Sequence, residues 1–191
     1  MERWAEADHH MAHAALGFYA SPFRSALVVS YDGGGNDGAF NAYLATPGEI
    51  KPIAQKSYNF GDMYMHLAEL LPEVTGKAIT EQCQQKLKGM LWSKFMIGDL
   101  RAMLSLSGKL MGYSGIKEGK PELSKVVKDL FNLEHFWTAD ARVPFSLLRA
   151  ACNSTADQQT LAASIQVGFQ EAAQEIILGL LIPASSRTLF V

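Results

Sequence analysis

Ser25-Ala26-Leu27-Val28-Val29-Ser30-Tyr31 runs directly into Asp32-Gly33-Gly34-Gly35-Asn36-Asp37-Gly38. The first half is a β-branched, apolar run of strand length, and the second is a cluster of residues suited to tight turns. A strand ending in a glycine-rich turn is therefore expected. Downstream, Ala39 to Leu44 alternates well enough for a second strand, Pro47-Gly48 turns the chain, and Ile50 to Tyr58 supplies a third. Upstream, Glu2 to Tyr19 is rich in alanine, has no glycine or proline before Gly17, and reads as a helix stopping near Ser21-Pro22.

The rest of the sequence reads as mainly helical. Met63, Leu67 and Leu70 recur at helical spacing between Asp62 and Leu71, where Pro72 ends the element. Thr80 to Leu106 is expected to form one long helix or two, broken near Gly98. Gly108 to Gly115 reads as a loop by composition, and Pro121 opens a helix reaching Leu133. Residues 134–153 are assigned to a helix and connectors. After Ser154, a capping residue, Leu161, Ile165, Phe169, Ala172, Ile176 and Leu180 form one apolar stripe. Pro183 is expected to end this helix, with Thr188 to Val191 beginning a buried strand.

Length and composition are those of a globular chain: 191 residues, 48% hydrophobic, enough for one sizeable core. The net charge of −2 comes without long single-sign runs, so neither nucleic acid nor an anionic membrane is an expected partner. Cys83 and Cys152 have no CxxC spacing and are read as buried thiols rather than a bridge. The N-terminus has no apolar signal core, and the longest apolar stretch, Ile176 to Ile182, is far shorter than the ~20 residues of a membrane span. A cytoplasmic protein is expected.

Two clusters carry chemistry. Asp8-His9-His10-Met11-Ala12-His13-Ala14 places His9 and His13 four residues apart, so on a helix they share a face and can both reach one transition metal. His10 points about 100° away, toward a supporting or substrate-side role. A histidine-rich surface helix would show the same spacing. The second cluster is Asp32 before three glycines: a strand-terminal carboxylate can complete a metal's ligand set, and glycine turns let backbone amides approach phosphate. A plain hairpin turn is the alternative reading of that segment.

His9-His10-Met11-Ala12-His13-Ala14, then Phe18-Tyr19-Ala20-Ser21-Pro22-Phe23, then Tyr31-Asp32-Gly33-Gly34-Gly35 together resemble the metal-binding stretch of the O-carbamoyltransferases of nodulation and antibiotic biosynthesis. Gly108-Lys109-Leu110-Met111-Gly112 is similar to that family's Gly-Lys-Val-Met-Gly loop, and Leu161 to Gln166 to its long helix. The resemblance implies an α/β chain of mixed type: part of an actin-like, RNase H-like lobe with a helix, three antiparallel strands, mainly helices and a final short strand. It makes His9, His13 and Asp32 the ligands of Fe(II) or another divalent metal, with Tyr31 in reserve. It sets Gly33, Gly34, Gly35 and Asn36 against the phosphate of carbamoyl-adenylate, with Gly61 and Lys109 as further nucleotide contacts. The implied reaction uses ATP and carbamoyl phosphate to carbamoylate a hydroxyl-bearing small molecule, with His10 taking the hydroxyl proton.

The family's preceding lobe, its following Gly-Gly-Val-Ala-Leu-Asn loop and a further aspartate ligand have no counterpart in residues 1–191. A fragment depending on missing lobes of the same enzyme is the expectation, with 76–107 an insertion or divergent helical region. A non-catalytic metal-binding or scaffold domain derived from the family is the second reading. A threonylcarbamoyl-transfer protein of tRNA modification is the third.

Overall fold

The computed structural model describes residues 7–76, 100–133 and 142–188. Its elements are α1 (His9–Tyr19), β1 (Ala26–Gly35), β2 (Gly38–Thr46), β3 (Glu49–Lys56), α2 (Phe60–Glu69), α3 (Pro72–Thr75), α4 (Leu100–Ser114), α5 (Pro121–Phe131), α6 (Phe145–Asn153) and α7 (Thr155–Thr188). This is the α+β order expected: a helix, a three-stranded antiparallel sheet in the order β1-β2-β3, then mainly helices. Two compact units result, one of Met1–Gly61 with Ile177–Val191, the other of Asp62–Ile176. Among the described residues no helix is long and apolar enough to cross a membrane.

In the first unit, residues paired across the β1–β2 ladder share a face. Tyr31 pairs with Phe40, and their rings stack at 5.9 Å, with Phe60 edge-on to both. Ser30 pairs with Asn41 on the other face, where Ser30 meets His10 of α1. Ala14 and Phe18 are the buried apolar side of the same helix. β3 lies at the sheet edge, where Pro52, lacking an amide, is tolerated, and the β2–β3 register shifts beside its partner Tyr43.

In the second unit, Met63 and Leu67 of α2, and Leu70 just beyond its end, are fully buried as the periodicity predicts. Of the expected α7 stripe, Leu161, Ile165 and Ala172 are buried, while Phe169, Ile176 and Leu180 are only half-buried. Gly168 lets α7 approach α5: a Cβ there would lie 2.6 Å from the Ser124 carbonyl oxygen. Ser154 caps α7 as expected, accepting the Asp157 amide at 3.1 Å while its hydroxyl donates to the Asp157 carboxylate at 2.6 Å.

Several boundaries differ from expectation, each for a physical reason. The first helix starts at His9, not Glu2: Asp8 is extended, and residues 1–6 lie outside the described residues. β1 runs through the glycines to Gly35, leaving Asn36 and Asp37 as the two-residue turn, because the β2 ladder extends to Gly38. Gly108 to Ser114 is helix rather than loop. Leu106 and Leu110 anchor it in the core, and a Cβ at Gly108 or Gly112 would meet nothing within 4 Å, so packing overrides low helix propensity. α7 continues through Pro183 to Thr188, since a proline can bend a helix without stopping it. The rest of the expected final strand, 189–191, falls outside the described residues, as do residues 77–99 of the region read as an insertion. Cys152 is disulfide-bonded, which overturns its reading as a free thiol; Cys83 is the chain's other cysteine and lies outside the described residues.

Candidate metal centre

His9 and His13 occupy successive turns of α1, their rings nearly perpendicular with centroids 4.6 Å apart. Asp32 comes from β1 at a bulge: between the pairs Tyr31–Phe40 and Gly35–Gly38, residues Asp32, Gly33 and Gly34 face Ala39 alone. A bulge breaks the ladder and re-aims a side chain, and here it turns Asp32 toward the helix. Gly34 carries the distortion at φ +127°, a conformation favouring glycine. Its amide donates to Asp32 Oδ1 at 2.7 Å.

The other carboxylate oxygen faces the histidines. His9 Nε2 donates to Asp32 Oδ2 at 2.5 Å, and His13 Nε2 lies 3.9 Å from the same oxygen. One ligand atom from each of the three residues falls within 4.8 Å of the others. Burial works to raise the Asp32 pKa, but the bonds from His9 and the Gly34 amide, with the charges of His10 and His9, outweigh it and hold the carboxyl below its ordinary value. An ionised carboxylate with two imidazoles is a donor set suited to divalent transition metals, and the residues fit such an ion. His13 is 56% exposed, so one side of the cluster is open to solvent.

His10 is fully buried, with Nε2 2.9 Å from the Gly38 carbonyl oxygen and Nδ1 2.7 Å from Ser30 Oγ. Tyr31 is on the opposite face of the sheet from Ser30, with its ring against those of Phe40 and Phe60. Two of the glycines stand where a side chain would not fit. A Cβ on Gly35 would lie 2.5 Å from the His9 Cβ, and one on Gly61 would run into the Gly33 nitrogen and the Asp32 backbone. The Gly33 carbonyl accepts from Asn59 at 3.1 Å. Asn36 directs its side-chain oxygen to the His9 amide at 2.8 Å. Lys109 is exposed on α4 in the other unit.

Sequence reasoning missed Asp37, whose carboxylate accepts the amides of His10 at 2.9 Å and Met11 at 3.2 Å. An Asx residue near a helix start is a capping signal, but capping rules look to the adjacent residue, and this cap comes from 27 residues downstream.

The carbamoyltransferase N-terminus family matches residues 2–176. The chain belongs to that family. An uncharacterized protein of Methanocaldococcus jannaschii is 42% identical over 65 residues, a stretch amounting to 33% of this chain and 12% of that protein. This carbamoyltransferase-family chain thus matches only a small part of that relative's length. No solved structure matches it.

Proposed function

We propose that this chain contributes the metal-binding part of an ATP-dependent O-carbamoyltransferase. The convergence of His9, His13 and Asp32 carries the reading. His9 and His13 would hold a divalent metal, Fe(II) by family resemblance, together with Asp32. When bound, such an ion supplies Lewis acidity toward phosphate oxygens and stabilises a departing phosphate. In the proposed transfer, the acceptor's hydroxyl oxygen bonds to the carbonyl carbon of carbamoyl-adenylate, the carbonyl carbon–phosphate oxygen bond breaks, and AMP leaves as the hydroxyl proton is released.

The chain's own residues prepare this in three ways. Gly34 fixes one Asp32 oxygen and leaves the other toward the histidines. The expected role of His10 as proton acceptor is better replaced by a holding role, because both its ring nitrogens are engaged and none of it is exposed. Gly33, Gly34, Gly35, Asn36 and Gly61 remain the proposed nucleotide-side wall, and Lys109 a proposed contact in the assembled enzyme. The acceptor, carbamoyl phosphate and the remaining lobes of the enzyme are the proposed partners.

Anaerobic Fe(II) titration of the native chain against His9→Ala, His13→Ala and Asp32→Ala tests the centre. Each variant should bind at least about 10-fold more weakly, a loss no smaller than that from altering a ligand's supporting partner. Equal affinity in all four removes the metal reading. Absence of AMP release when the complete enzyme receives carbamoyl phosphate, ATP and candidate hydroxyl acceptors removes the transferase reading.

A further inference from the structure

We infer that Asp37 is a positioning residue for the metal centre: it ties the first turn of α1 to the sheet so that His9 meets Asp32. The inference rests on the metal reading above and adds a residue to it. His9 is the first residue of α1, the position where a helix frays most readily because its leading amides have no partner within the helix. Asp8, the local cap, makes no side-chain capping bond, and the first turn contains no acidic residue. A proposed ligand therefore stands on a turn that its own segment does not secure.

The turn between β1 and β2 secures it instead. Asn36 Oδ1 accepts the His9 amide at 2.8 Å, Asp37 Oδ1 and Oδ2 accept the His10 amide at 2.9 and 3.1 Å, and Oδ2 also accepts the Met11 amide at 3.2 Å. A carboxylate at this end of a helix also meets the positive end of its dipole. Asp37 is itself held by side chains of β2 and β3. Its carbonyl oxygen accepts from Asn41 Nδ2 at 2.8 Å and from Gln55 Nε2 at 2.6 Å, and Tyr43 Oη lies 3.4 Å from its carboxylate. The same hairpin bears Asp32 at its bulge. The cap therefore closes a ring: helix ligand, strand ligand, turn, and back to the helix.

Without the cap, the first turn loses its partners while His13, one turn further on, keeps its helical bonds, so His9 should leave the ligand set first. The test uses Co(II) as an optical probe with the native chain, Asp37→Ala, Asp37→Asn and the milder Asn36→Ala. Affinity and ligand-field spectrum are read for folded protein, and thermal midpoints are measured without metal. Asp37→Ala should weaken Co(II) binding roughly 10- to 100-fold and change the spectrum toward that of His9→Ala, as for loss of a group that orients a ligand. Asp37→Asn, which keeps one acceptor oxygen, should fall between. Should Asp37→Ala fail to fold, Asp37→Asn and Asn36→Ala carry the same expectation at smaller amplitude. Folded variants with native affinity and spectrum, altered only in thermal midpoint, would overturn the inference by showing a purely structural cap. Metal binding unchanged in His9→Ala and His13→Ala would instead remove the metal reading beneath it.

Discussion

The imidazole of His10 is held between two strands: Ser30 Oγ of β1 lies 2.7 Å from Nδ1 while the Gly38 carbonyl of β2 lies 2.9 Å from Nε2. A carbonyl only accepts, so Nε2 donates to it, while the serine hydroxyl partners Nδ1. Ser30→Ala would leave a buried ring nitrogen without its partner, with an expected cost of about 1–3 kcal/mol in urea unfolding. An unchanged midpoint would show that the ring is not held this way.

Gly61 and Gly108 should respond oppositely to alanine. At Gly61 a Cβ meets backbone of Asp32 and Gly33, which cannot swing aside, and a loss of about 1–3 kcal/mol is expected. At Gly108, inside α4, the Cβ enters open space, and alanine should stabilise by about 0.4–1 kcal/mol by restricting the unfolded chain. Denaturant midpoints of the two variants check the pair, and equal signs would contradict the packing described.

Tyr64 donates to Gln166 Oε1 at 2.6 Å, and burial raises its phenol from 10.0 to about 12. A raised folded pKa means that its contribution is fully present below pH 10.0 and is lost as pH rises toward about 12. Chemical unfolding across that interval should show a fall in stability that Tyr64→Phe diminishes. Phenolate absorbance should reveal one late-titrating tyrosine in the native chain that the variant lacks.

The cap of α7 provides the acid-side counterpart. Asp157 is held below its ordinary value of 3.8 by Ser154, then Asn153, against an opposing burial effect, with Lys120 and Lys117 adding favourable charge. Its contribution is present above 3.8 and is lost as pH falls through the lower folded value. Ser154→Ala should cost about 1 kcal/mol at neutral pH. It should also bring the acid midpoint of Asp157, followed by carboxyl NMR, upward.

Cys152 should resist alkylation in the unfolded chain until a reductant is added, because it is disulfide-bonded. Mass spectrometry of labelled peptides before and after reduction measures this. Labelling without reductant would restore the free-thiol reading.

Local chemistry was sufficient for the hairpin, the α2 stripe, the buried half of the α7 stripe and the Ser154 cap, because each depends on residues a few positions apart. The helical spacing of His9 and His13 is of the same kind, since one turn of helix sets it without reference to the rest of the chain. Their approach to Asp32 was legible through family resemblance, while its geometry depends on a bulge that no run of glycines specifies.

Properties set by distant neighbours came only with the folded chain. The glycines after Asp32 suit turn and strand equally in isolation, and the ladder with β2 drew them into strand. Gly108 and Gly112 weaken a helix locally, yet burial of Leu106 and Leu110 holds one there. The hydrogen bonds of His10 to opposite strands, and the capping of α1 by Asn36 and Asp37, join groups separated by 20 or more positions. Such bonds form where folding brings groups together, and sequence periodicity reports only the face a residue occupies, not the partner it meets there.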